Sequence, residues 1–158
     1  MKKWFSGISV IVMMMIVFSS VIQFHHHDEK GNIVNSVSRS YDVCYPQNGW
    51  SEQNPADWWD AFVSGSDELK KSIDAKEICG IGVAGQMHGL VITDKDDEII
   101  RPAILWCDQR TGRECDELTA KLTREKLIEI TANPALTGFT ASKILWVKNN
   151  EPEIFEKC

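Results

Sequence analysis

Ile81-Gly82-Val83-Ala84-Gly85-Gln86-Met87-His88-Gly89 begins as an apolar run and ends in a polar and sulfur-bearing cluster between two glycines. The apolar stretch, Ile78 to Val83, is short and interspersed with glycine, which predicts a strand covered on both faces of an α/β fold. Side chains delivered at the carboxyl end of such a strand are where open α/β sheets hold small ligands. Glycines let the backbone approach a ligand, Gln86 and His88 can donate to and accept from hydroxyls, and Met87 can lie against carbon. That combination suits a polyol. On spacing alone, a glycine-flanked turn with an internally satisfied histidine accounts for the same residues at least as well.

Downstream, Leu90-Val91-Ile92-Thr93 and Glu98-Ile99-Ile100 flank the turn Asp94-Lys95-Asp96-Asp97 and predict a hairpin. Ala103 to Trp106 predicts another strand, which runs into Cys107-Asp108-Gln109-Arg110. Asp108 and Arg110, two apart after a strand, fit either a ligand cleft or a structural ion pair. Cys107 has no marked partner base and is not read as a nucleophile. Thr111 is expected to cap a helix carrying Cys115, Leu118 and Leu122, and Thr123 to open a second that ends at Asn133-Pro134. Thr140 is expected to cap a third, through Ile144, Leu145 and Val147, that stops at Asn149-Asn150.

Upstream, Asn54-Pro55 with Asp57 in the first turn is a helix start: an amide cap, a proline at the first helical position and a carboxylate at the positive end. Ser64-Gly65-Ser66 predicts a break before Leu69 and Ile73. Trp58, Trp59 and Trp146, at helical positions, read as core residues or helix contacts. Ile33 to Val43 predicts a strand ending near Cys44-Tyr45-Pro46.

The 158 residues suffice for one domain. A net charge of −6, from 23 acidic and 17 basic residues, and the lack of a basic stripe argue against nucleic acid as partner. Five cysteines with neither a C-x-x-C pair nor metal-ligand spacing favour a reduced, cytoplasmic interior and no metal site. The N-terminus points elsewhere. Lys2 and Lys3 precede an uncharged run from Trp4 to Phe24 that as a helix would reach roughly 30 Å, enough for a membrane span or anchor. The alternative is an altered or miscalled start. His25-His26-His27 cannot all face one ion from a flexible segment. The composition changes at Asp28-Glu29-Lys30-Gly31, so two parts are expected: a hydrophobic N-terminal segment, residues 1–27, and a soluble α/β domain, residues 28–158.

Five ordered motifs carry a resemblance over roughly Asp28 to Cys158: G-N-I-V at Gly31 to Val34, G-W-S-E-Q-N-P-A-D-W-W at Gly49 to Trp59, G-I-G-V-A-G-Q-M-H-G at Gly80 to Gly89, R-P-A-I-L-W-C-D-Q-R-T at Arg101 to Thr111, and G-F-T-A-S-K-I-L-W-V-K-N-N-E-P-E-I-F at Gly138 to Phe155. Together they resemble the FGGY family of sugar kinases, most closely its xylulokinase branch. The resemblance implies a ribonuclease H-like, actin-like ATPase lobe, the N-terminal sugar-binding half of a two-lobed kinase. It implies that Met87 and His88 contact the substrate, D-xylulose or a related ketose, with Gln86, Trp106, Asp108 and Arg110 supporting the same cleft. It also implies ATP and Mg2+ as cofactors, and an aspartate as base that lies beyond residue 158 with the C-terminal lobe.

Family members open on a strand and a glycine-rich phosphate loop of the form I-G-I-D-L-G-T-S, followed shortly by a lysine. Here the corresponding stretch, Ile11 to His27, has no aspartate, lysine or glycine. The expectation is therefore a lobe lacking its first strand and phosphate loop, which holds a sugar without phosphorylating it. A membrane-tethered, non-catalytic carbohydrate-binding module, in contact with the bilayer through residues 4–24, is the competing expectation.

Overall fold

The computed structural model describes residues 9–13 and 20–158. In chain order its elements are β1 (Ser9–Met13), β2 (Val21–His27), β3 (Ile33–Ser40), β4 (Glu52–Gln53), α1 (Pro55–Lys70), β5 (Ile78–Val83), β6 (Ala103–Ile104), α2 (Gly112–Leu122), α3 (Arg124–Thr131), α4 (Thr140–Asn150) and α5 (Pro152–Phe155). They form two compact units. One gathers the residues up to Asp42 with Ala56–Gln86, the other Val43–Pro55 with Met87–Cys158.

The first unit is built on a four-stranded sheet of order β3-β2-β1-β5. β2 runs antiparallel to both β1 and β3, and β5 runs parallel to β1, with Ile11 opposite Ile81 and Met13 opposite Val83. Three antiparallel strands with a parallel fourth beside the first is the sheet of a ribonuclease H-like lobe. The first strand, expected to be missing, is therefore present at Ser9–Met13. Its run Val10-Ile11-Val12 is β-branched, which suits a pleated strand better than a helix.

The helix expected over Trp4 to Phe24 is overturned in the same way at Ser9–Met13 and at Val21 to Phe24; residues 4–8 and 14–19 lie outside the described residues. Ile22 and Phe24 alternate inward along β2, each about 1% exposed. They pack with Val37 and Leu69, against Tyr41, Phe62, Ile73 and Ile78. His26 continues the inward face, while His25 and His27 lie on the other. Among the described residues, no helix is long and apolar enough to cross a membrane, and no group of three His, Cys, Asp or Glu stands ready for a metal.

α1 starts at Pro55 as its cap signals predict, but it runs unbroken through Ser64-Gly65-Ser66. The reason for the glycine is contact. A Cβ at Gly65 would stand 2.6 Å from Phe24 Cζ and 2.8 Å from Cδ2, with Cε2 closer still. β5 departs from expectation too. It is an edge strand, with Ile81 65% and Val83 67% exposed, and is not covered on both faces.

In the second unit β4 and β6 pair antiparallel, Glu52 opposite Ile104. The expected hairpin closes through the Thr93–Ile99 bridge, with Asp94 N donating to Glu98 O. Leu90, Ile92, Ile104, Trp146 and Val147 form its core, flanked by Trp50, Ile154 and Phe155. Trp146 is thus a core residue as expected. Trp59, in the first unit, is 65% exposed and stacks on Phe62 at 5.4 Å. The helix starts differ in detail. Thr111 stands at the N-cap of α2 as expected but its side chain makes no capping hydrogen bond, and Phe139, not Thr140, stands at the N-cap of α4.

Candidate functional site

The second unit holds five of the six residues singled out for the site, and it separates them into an exposed set and a buried set. Leu90 and Ile104 exchange both backbone hydrogen bonds, at 2.9 and 3.0 Å. Met87-His88 and Trp106 therefore leave the same end of this short antiparallel pair. Met87 is 72% exposed and Trp106 46%. His88 is also exposed and has φ +65°, a left-handed conformation that costs an L-residue about 1–2 kcal/mol.

Two contacts hold that conformation. Lys143 Nζ donates to His88 O at 2.7 Å and to Gly138 O at 2.7 Å. The His88 ring packs on Phe139, with ring centroids 4.6 Å apart. A hydrogen bond from a charged donor contributes about 1.5–3 kcal/mol, so the bond to His88 O is of the size needed to offset the backbone strain. Gly138 in turn abuts Trp106: a Cβ there would stand 2.9 Å from Trp106 O. A cavity of about 230 Å3 borders His88, lined by Leu118, Leu127, Leu136, Phe139 and Ser142 among others.

Asp108 and Arg110 form the buried set. Asp108 is fully buried and accepts from Ser51 N at 2.7 Å, Arg110 N at 2.9 Å and Arg110 Nη2 at 2.8 Å. Arg110 Nη1 stands 2.7 Å from Glu52 Oε1. Glu52 also pairs with Arg101 at 3.0 Å, and Arg101 with Glu151 at 2.8 Å. The Arg110 guanidinium lies 3.8 Å over the Trp50 ring and 4.9 Å from that of Trp146. Stacking and ion pairs together enclose the charge. The support these two residues give is to the 105–110 loop beneath the exposed turn, because their polar atoms are engaged inside the unit. Gln86 ends the first unit, and its buried amide oxygen accepts no hydrogen bond among the described residues.

Sequence reasoning missed Lys143, Gly138 and Phe139 as individual residues, although the motif containing them was recognised. A signal was available. Lys143 shares its helical face with Trp146 and Val147 at i+3 and i+4, both core residues, which marks it as a buried amine in need of acceptors. Burial draws its ammonium down to about 8, against the opposing charge of Asp108. Nearby, Thr111 Oγ1 donates to Ser142 Oγ at 3.0 Å, and Ser142 Oγ lies 3.0 Å from Phe139 O. This relay fixes the start of α4.

The first unit carries a sheet of order β3-β2-β1-β5 and the second exposes Met87, His88 and Trp106; the family is identified by comparison. The model of the FGGY family of carbohydrate kinases, N-terminal domain, matches residues 19–158, and the chain belongs to that family, with the actin-like ATPase fold. Xylulose kinases from Bacillus subtilis and Lactococcus lactis are each 42% identical to it over 132 residues, 82% of this chain and 26% of theirs. The solved xyloylose kinase from Brucella ovis is 38% identical with a TM-score of 0.81, over 93% of this chain and 30% of its own. The chain thus spans about a quarter of the length of the curated relatives it matches.

Proposed function

We propose that this chain is the sugar-recognising part of a carbohydrate kinase of the xylulokinase type, acting on D-xylulose or a related ketose. The observation that carries this reading is the exposed Met87-His88 turn, fixed in an unusual backbone conformation beside Trp106 in a chain 42% identical to xylulose kinases. The exposed imidazole can exchange hydrogen bonds with sugar hydroxyls. The Met87 thioether and the Trp106 indole offer apolar surface to the carbon skeleton. Gln86 precedes the turn as a supporting residue, its amide oxygen buried and without a hydrogen-bond partner among the described residues.

In the whole reaction, ATP with Mg2+ would give its γ-phosphoryl to the terminal hydroxyl of the ketose. Such transfer depends on positioning and on neutralising charge around a loose transition state. The residues present do not fit the nucleotide side of that task. Met14-Met15-Ile16-Val17-Phe18-Ser19, between β1 and β2, offers no glycine, acid or amine. The base is read as an aspartate outside these 158 residues. The chain by itself therefore binds sugar without turning it over, and the same reading locates the protein in the cytoplasm.

Isothermal titration calorimetry with D-xylulose, beside a coupled ADP-release assay, tests this reading. Saturable binding without ADP formation is the expected result. Heats no larger than those of dilution would end the sugar assignment, and turnover at a rate typical of sugar kinases would end the assignment of inactivity.

A further inference from the structure

We propose that Lys143 is a positioning residue for sugar recognition, whose side chain locks the Met87-His88 turn in the conformation that presents both residues to a ketose. This rests on the reading that Met87 and His88 contact the sugar. Lys143 is fully buried, and its amine donates to two backbone carbonyls from different loops, His88 O and Gly138 O, each at 2.7 Å. Gly138 lies against the Trp106 carbonyl, so one amine sets the spacing of all three exposed residues. A helix-packing role alone would be met by an apolar side chain of the same length, which is easier to bury than an ammonium. What the ammonium adds is a pair of donors aimed at the two turns. His88 has φ +65°, a region that a non-glycine residue leaves unless something holds it. Without the donor, the turn relaxes and the His88 ring leaves Phe139.

The test uses the full chain and its Lys143→Met variant, read by D-xylulose titration calorimetry and by the NMR signals of the His88 ring, which the Phe139 ring shifts. The expected result is a cooperatively folded variant with D-xylulose affinity reduced about tenfold or more and His88 signals moved to those of a free imidazole. A variant that binds like the parent, or whose His88 signals stay in place, overturns the proposal. If the parent chain does not bind D-xylulose, the sugar reading fails by itself, and the His88 signals alone decide whether Lys143 holds the turn. If Lys143→Met does not fold, the parent is titrated through the Lys143 ionisation near 8. Neutralising the donor weakens both bonds, so the His88 signals should move with that midpoint; a flat trace overturns the proposal.

Discussion

Replacing Gly65 by alanine decides whether Val21–His27 is folded against α1 or is the end of an apolar N-terminal helix, because the two arrangements predict opposite signs. In a helix freed of tertiary contact, Gly→Ala stabilises by roughly 0.5–1 kcal/mol through backbone entropy. Here the new Cβ would meet Phe24 Cζ at 2.6 Å and Cδ2 at 2.8 Å, where ordinary contact starts at 3.4 Å. The Phe24 ring is 1% exposed and packed among Ile22, Val37 and Leu69. Overpacking of this kind costs about 1–3 kcal/mol, so the net effect of G65A is destabilisation of up to about 2.5 kcal/mol, centred on about 1. Urea unfolding at constant m reads it directly. The control is Phe24→Leu, which removes Cε2 and Cζ; in that background G65A should become neutral or stabilising, a coupling of about 1 kcal/mol or more. If G65A stabilised the parent chain as much as it stabilised the F24L chain, β2 would not pack on α1, and the strand assignment for the N-terminal segment would be wrong.

Three further outcomes follow from the same packing. Arg110→Met leaves the buried Asp108 and Glu52 carboxylates without their shared cation, and should lower stability by about 3–5 kcal/mol in chemical denaturation. Met87→Ala, at a residue 72% exposed, should leave the unfolding midpoint within about 0.5 kcal/mol of the parent while cutting D-xylulose affinity several-fold; unchanged affinity would remove Met87 from the site. Ile81→Lys places a charge on the exposed edge strand β5 and should reduce self-association in sedimentation or light scattering without loss of stability.

Much of the second unit was legible because its signals are local. The hairpin at Asp94 to Asp97 follows from turn chemistry, the start of α1 at Pro55 from its cap residues, and the inward face of Trp146 and Val147 from helical spacing. The N-terminal strands were not legible by the same means. An apolar run without charges satisfies the length test for a membrane helix, and the alternation that marks β2, Ile22 and Phe24 against Gln23 and His25, is short and hidden inside it. Gly65 reads as a helix breaker until Phe24, 41 residues earlier, is known to touch it. The exposure of β5 was misread because a short run of isoleucine, valine and glycine looks the same in an edge strand as in a central one. At the site, the residue types in the Met87-His88 turn were visible, but its enforcement was not. A positive φ at a histidine and a buried lysine 55 positions later leave no joint mark in the sequence.

The division into two units places the N-terminal stretch and the Met87-His88 turn in different units. The unusual stretch, with apolar residues where a phosphate loop is expected, belongs to the unit of β1, β2, β3 and β5. Met87, His88, Trp106, Lys143 and the Asp108–Arg110–Glu52 network all belong to the other. The backbone of the Met87-His88 turn is held by hydrogen bonds made wholly within that second unit. That turn keeps its geometry as long as the core of Leu90, Ile104, Trp146 and Val147 stays packed.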